Sequence, residues 1–435
     1  MAVENYDFSS TFHFNVFFIF YIILFSVPIL ILLYLLVKFL SKLSISKSSN
    51  LINKRYIFII SFLCIFISSL LFLLTYYPGS NMNDTLYIIH SPVFYSFQYP
   101  LIYSLIISGI YNLFYIITNS MNVSFFLLSI LQIIFMSCIL SYVITWCHEK
   151  FKNNYSSVVL IFLFSILPIF SNYNSALLRD PIFTAFVLLS LTFLYDICSS
   201  DASKLDDEKF FIKFILVLTL LCLSRNNGFF ILIGIVGSLL LSYKRYFKKI
   251  FVLFIVVLTI SNVTLFLPDN MNKEQLFQEK VAIPLQQIAF VLKEGGLSVE
   301  DLNYLSKLMP NNTMKLNYNP YNVDTIKWSP FFNREYLNDT KMQFMKIWFK
   351  NLIPNFESYL KAYFLHTYDL WSIKEFNREQ TVFLGLDLRD ERVTVYFDKL
   401  KHVDVFPKTL QSFLENYYSA VSSFSSISEA GVPNV

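Results

Sequence analysis

Three polar sites stand out in a strongly apolar chain because their residue types can move a proton and hold an anion. The first is Asp84, the one acid in the insert that runs from Tyr76 to Pro100. The second is Arg179-Asp180, and the third is Arg225-Asn226-Asn227-Gly228. A positioned carboxylate can take a proton from an attacking hydroxyl, and arginine presents planar, paired donors to phosphate. Ionisable groups at membrane depth are costly and usually face a cavity in which they act. One acid, two arginines and two amides converging at a bilayer surface suit a substrate that is an amphiphile carrying phosphate. Each element also has a plainer reading. Asp84 serves equally as a cap on a short helix, and Arg179 can pair with Asp180 or reach lipid headgroups. Arg225 can meet lipid phosphate, and Asn-Gly is a common turn.

The elements that must position these groups are membrane helices. Apolar residues make up 55% of the 435 and aromatics 18%, with a mean hydropathy of +0.53, whereas soluble domains are roughly 45–50% apolar. The composition implies an integral membrane protein. A formal net charge of +4 is too small to argue for a nucleic-acid partner. Cys64, Cys138, Cys147, Cys198 and Cys222 all lie in or beside apolar runs, with no spacing of a zinc site or disulfide framework, and read as small core residues. The acidic N-terminus lacks the basic region of a signal peptide.

A first span covers Phe14 to Leu40, long enough against the roughly 20 residues needed to cross. The basic connection that follows (Lys42, Lys47, Lys54, Arg55) is expected in the cytoplasm, which leaves the N-terminus outside. A second span, Tyr56 to Tyr77, returns outward and delivers the turn pair Pro78-Gly79 and then Asp84. Leu101 to Thr118 carries one polar stripe (Ser104, Ser108, Tyr111, Asn112, Tyr115) opposite an apolar face, the pattern of a helix lying in the interface. Spans follow at 124–146, 156–172, 181–198, 210–224, 228–243 and 250–267, about eight in all. Those at 210–224 and 228–243 are short and suit a kinked, partly re-entrant pair around Arg225. After Pro268 the chain is polar and Asn-rich and is expected outside as one domain, 268–435. Its helical patterns lie at Lys273–Lys293, Val299–Leu308, Asn338–Ile353 and Asn355–His366, before a charged, then Ser-rich tail. His90, His366 and His402 are isolated. No spacing of His, Cys and carboxylate resembles a tight metal site, and there is no Gly-rich phosphate loop and no readable Ser-His-Asp order.

The order of these features resembles the first half of the GT-C superfamily of polytopic glycosyltransferases. Those features are a basic inner loop, a span, an outer loop with an acid, Tyr99-Pro100 opening an interfacial helix, and a span pair leading to Arg179-Asp180. The layout is similar to protein O-mannosyltransferases. It is more similar to a bacterial branch of multi-pass, glycosyltransferase-like proteins in which Tyr/Phe-Pro-Gly precedes the loop acid and Arg-Asn-Asn-Gly follows later. Ile283-Pro284-Leu285-Gln286-Gln287-Ile288-Ala289 and Tyr321-Asn322-Val323-Asp324-Thr325-Ile326-Lys327 also look like that branch. The resemblance implies a GT-C-like transmembrane module over 56–267, preceded by an extra span and basic loop at 1–55, with the outer loop and interfacial helix at 78–118. A mainly helical extracytoplasmic domain follows at 268–435. It implies that Asp84 is the catalytic base, that Tyr99, Arg179, Asp180, Arg225, Asn226 and Asn227 form the phosphate and acceptor site, and that Gln287, Asp324 and Lys327 lie over it. Two departures stand out. The family's His-Pro at the head of the interfacial helix is Tyr99-Pro100 here, and relatives return to the membrane after the outer domain, whereas this chain stops at Val435, as a shortened and inactive product would.

The expected activity is an inverting transfer of sugar from a polyprenyl-phosphate-linked donor to a cell-envelope glycan, lipid or protein on the outer face of a bacterial cell membrane. No cofactor is expected; Asp84 and Asp180 have the chemistry to share a divalent ion, but their spacing gives it no support. Two other classes use outward cationic groups as well: a transporter or flippase of lipid-linked glycans, which should show related halves or broken helices at the midplane, and an envelope-polymer polymerase, which has no need of the early loop acid.

Overall fold

The computed structural model describes residues 51–81, 83–93, 99–262, 277–368, 384–386, 388 and 395–426. The expected span at Phe14–Leu40 lies outside the described residues. The described chain divides into two compact units, one of residues 51–262 with 384–426 and the other of 277–368. Four helices of the first unit are long and apolar enough to cross a membrane, or six spans exist if each of two bent pairs counts as one. This is the architecture of an α-helical membrane protein.

The first unit is built on α1 (Lys54–Thr75), followed by β1 (Ser80–Asn81), α2 (Asn83–His90), α3 (Leu101–Thr118) and α4 (Met121–Phe151). The faces of α1 and α4 are inverted relative to a soluble protein. Ser61 and Ser69 of α1 and Ser124, Ser129, Ser137 and Ser141 of α4 are buried, while Ile59, Ile60, Leu63 and Ile67 are exposed. In lipid the apolar effect between helices vanishes, so small residues that let backbones approach form the interface and large aliphatic groups face the hydrocarbon. The same inversion holds for α3. Its expected polar stripe turns inward, with Ser104, Ser108 and Tyr111 buried, while Ile106, Leu113, Ile116 and Ile117 face outward.

The expected span 156–172 is broken into α5 (Asn154–Ile166) and α6 (Pro168–Ser175), which meet at 66°. Pro168 has no N–H to continue the ladder and its ring crowds the preceding turn, so the helix stops and restarts. The buried polar face of α6 is satisfied by α1. Ser68 and Ser171 hydroxyls are 2.8 Å apart, Asn174 Nδ2 donates to Ser69 Oγ at 3.1 Å, and Ser175 Oγ donates to Ser69 O at 3.1 Å. The chain then runs through β2 (Ala176–Leu177) into α7 (Arg179–Ser199), α8 (Glu208–Ser224), α9 (Gly228–Ser242) and α10 (Phe247–Ser261). These four helices share one apolar core that includes Phe193, Phe214, Leu218, Leu232 and Leu253. The bend between α9 and the segment Lys244–Ser261 is 114°. The α8–α9 turn is tight because Gly228 has no side chain: a Cβ there would stand 2.5 Å from Leu221 O.

The second unit is helical, as its periodicity predicts. Its elements are α11 (Phe277–Lys280), α12 (Ala282–Glu294), α13 (Val299–Leu308), α14 (Asn311–Asn317), α15 (Asp324–Lys327), α16 (Arg334–Asp339), α17 (Lys341–Leu352) and α18 (Phe356–His366). Leu285 through Leu292 are all buried, which makes α12 the central helix of the unit's core.

The C-terminal segment departs from the reading that kept 268–435 together. Residues 384–426, including α19 (Lys408–Ser426), belong with the membrane helices. Gln411 Nε2 donates to Thr75 O at 2.8 Å, and the Tyr418 ring meets Phe72 edge-on at 4.8 Å. The cause is the apolar face formed by Leu414 and Tyr418, which joins Phe72 and Tyr76 in one cluster.

Candidate functional site

A two-residue parallel ladder assembles the site. Ser80 pairs with Ala176 and Asn81 with Leu177, so the loop leading to Asp84 and the turn leading to Arg179-Asp180 leave the ladder side by side. Asp84 and Asp180 each stand four residues beyond their ladder partner, and both occupy the first turn of a helix, where the exposed N–H groups favour a negative charge. The register is pinned from several sides. Gln132 of α4, buried, donates to Ala176 O at 2.6 Å and Asn174 O at 3.2 Å. Thr85 Oγ1 donates to Leu177 O. Gly79 has φ +152°, and a Cβ there would lie 2.8 Å from Ser129 Oγ, so only glycine lets the loop pass this close to α4. On the other edge, Gly385 N donates to Ser80 Oγ at 3.0 Å and Asn81 N donates to Gly385 O at 3.3 Å.

The charged groups sit just beyond the ladder. Tyr99 is 1% exposed, and the Arg179 guanidinium lies over its ring at 4.4 Å from the centroid, a cation–π arrangement strengthened by loss of solvent. Burial, and next the Asp84 carboxylate beside its hydroxyl, push the Tyr99 phenol far above its ordinary value, against the opposing charge of Arg179. Asp180 takes Arg225 as its ion-pair partner, which joins the second and third sequence sites through one link. Arg225 also lies 5.8 Å from the Phe183 ring centroid. Tyr103 and Tyr173 are within electrostatic reach of the same charges. Asn226 and Asn227 are exposed on the adjoining turn.

An apolar groove of about 290 Å³ runs between α3, α4, α7 and α8. Ile107, Leu128, Phe135 and Phe186 line its body, and Tyr103, Ile182 and Ser224 line it where the chain passes to Tyr99, Asp180 and Arg225. Charge and apolar groove are thus adjacent in one unit.

A family model matches residues 87–404. The chain belongs to DUF6020, a family of unknown function. No curated protein and no solved structure matches it. The DUF6020 region takes in Tyr99, Arg179, Asp180, Arg225, Asn226, Asn227, Gln287, Asp324 and Lys327, and begins three residues after Asp84. It also contains Gln132 and Gly385, the ladder supports that carried no signal in the sequence because each acts through a partner remote in the chain.

The remaining predicted residues of the DUF6020 chain lie in the second unit. Lys327 is buried and pairs with Glu279 at 2.7 Å and Asp324 at 2.8 Å. Burial works against its charge, but the bonds to Asp324 and Glu279 outweigh it and hold the ammonium above the ordinary lysine value. Glu279, the second carboxylate, was not singled out by sequence. Gln287 has both ends of its amide engaged: Nε2 donates to Tyr359 O at 3.1 Å and Oε1 accepts from Trp348 Nε1 at 2.8 Å. It ties α12 to α17 and α18. His366 is half-buried, and burial pushes its imidazole below the ordinary value.

Proposed function

We propose that the chain is an inverting membrane glycosyltransferase of GT-C type that uses a polyprenyl-phosphate-linked sugar on the outer face of the cell membrane and transfers it to a cell-envelope glycan, lipid or protein. The observation that carries this reading is an apolar groove whose lining includes Leu177, Ile182 and Ser224, close chain neighbours of Arg179, Asp180 and Arg225. Such a pairing suits a ligand with a hydrocarbon tail and an anionic head. The charge separation fits the chemistry. Asp84 accepts the proton of the acceptor hydroxyl, whose oxygen attacks the anomeric carbon as the bond from that carbon to the phosphate oxygen breaks. The departing phosphate keeps the electron pair, and the arginines offset its charge. Tyr99 supports the clamp from the side, since its buried ring lies under the Arg179 guanidinium.

The test is transfer of labelled sugar from polyprenyl-phosphate donors in membranes that hold the protein, run beside Asp84→Asn. The substitution should abolish turnover and leave donor binding in place. Equal turnover in the Asn variant would refute the role of Asp84. A wild-type chain that moves the lipid-linked sugar across the bilayer without transferring it would refute the enzyme.

A further inference from the structure

Apart from the charged cluster, three side chains of metal-binding type meet on the C-terminal segment. His402, Asp404 and Glu415 each offer one ligand atom, and these atoms lie within 4.8 Å of one another. His402 Nε2 is 3.1 Å from Asp404 Oδ1, about the separation of two atoms bound to one ion at roughly 2.0–2.2 Å. The longest edge closes by side-chain rotation, since His402 and Asp404 are exposed. Two carboxylates this close repel, and a cation between them would offset that repulsion.

A second observation comes from a buried amide. Gln411 is 4% exposed, and its Nε2 donates to Glu415 Oε1 at 2.8 Å. Its Oε1 has no hydrogen-bond partner. A buried amide oxygen without a partner is costly, and this one belongs to an amide seated against the Glu415 carboxylate.

We propose that His402, Asp404 and Glu415 bind one divalent cation of the zinc or manganese type. One imidazole with two carboxylates suits these ions better than magnesium or calcium, which prefer all-oxygen shells. Water completes the shell, because the site is open. The ion joins the two anchor points of the C-terminal segment. At one, Lys401 N donates to Asn122 Oδ1 at 3.0 Å and Val403 N donates to Tyr77 O at 3.2 Å. At the other, Gln411 holds Thr75. It thus acts as a clasp behind the loop that leads to Asp84.

The test uses the full, untagged chain in lipid nanodiscs, stripped with a chelator and titrated calorimetrically with Zn²⁺ or Mn²⁺. Wild type should bind one ion, and His402→Ala and Glu415→Gln should each bind at least tenfold more weakly. The His402→Ala chain without metal should unfold at the same temperature as metal-free wild type, and only wild type should gain stability when the ion is added. Asp84→Asn should bind the ion as wild type does. No ion bound by wild type, unchanged affinity in His402→Ala, or loss of binding in Asp84→Asn would each overturn the proposal. None of these readouts depends on sugar transfer.

Discussion

Gln132→Leu tests whether the ladder is held by its buried amide. The side chain donates to Asn174 O and Ala176 O. After the substitution Ala176 O keeps one donor, Leu178 N at 2.8 Å, whereas Asn174 O loses the only side-chain donor it has among the described residues. Two lost bonds at the ~0.6 kcal/mol average of membrane interhelical pairs set a floor of about 1 kcal/mol. A buried carbonyl left without a partner adds roughly 1–3 kcal/mol. We expect about 2 kcal/mol of destabilisation, read from unfolding in mixed micelles at fixed lipid ratio. Ser137→Ala, on the same helix, is the control. The Ser137 hydroxyl is buried without a partner, so its removal should cost nothing or stabilise slightly. A Gln132→Leu effect below about 0.5 kcal/mol, or one no larger than that of Ser137→Ala, would refute the argument that the ladder depends on these bonds.

Gly79→Ala should cost about 1–3 kcal/mol in the same unfolding assay, since it meets Ser129 and takes a backbone angle that L-residues rarely adopt. A double-mutant cycle on Asp180→Asn and Arg225→Gln should give a coupling of at most about 1 kcal/mol in stability, because each side chain is a third exposed; the same variants should lower transfer rate far more. The second unit should lose stability as pH falls through the ordinary histidine range near 6.5. His366 has a lowered value when folded, so the unfolded chain takes up the proton first. Replacing His366 with Gln should flatten that part of the stability curve. Lys327, whose value is raised, contributes stability that is present at neutral pH and is lost only as alkaline pH deprotonates the folded ammonium. Lys327→Met should therefore destabilise the unit at pH 7, as followed by denaturant unfolding.

The helices of the membrane unit were legible because hydrophobic runs and their flanking charges record the cost of taking polar groups into lipid. That Asp84, Arg179 and Arg225 belong to one unit was legible too, since each stands at the end of an apolar run. The pairings were not. The sequence places Asp180 next to Arg179, and only the α8–α9 turn brings Arg225 to it. A ladder of two residues per strand has no periodicity to read, so nothing local marks Ser80 or Ala176. Pro168 did carry a breaking signal, but the apolar run around it reads as one continuous span. The tail has no run long enough to span, so its place beside α1 was not read, although Gln411, Leu414 and Tyr418 recur at helical spacing. Nor do the partners of Gln287 show in the sequence: both ends of its amide are engaged inside its own unit, by groups 61 and 72 residues away.

The supports of the Asp84 loop also impose an order on biosynthesis. Ser80 reaches the ribosome's exit early, yet its hydroxyl pairs with a residue 305 positions later, and Thr85 waits for a carbonyl 92 positions later. While the first spans enter the bilayer one by one, the acid's loop has neither neighbour. The edge contact of the Asp84 loop with Gly385 is therefore completed after most of the protein has been translated and threaded. Until then a growing chain carries the loop with one of its edges open.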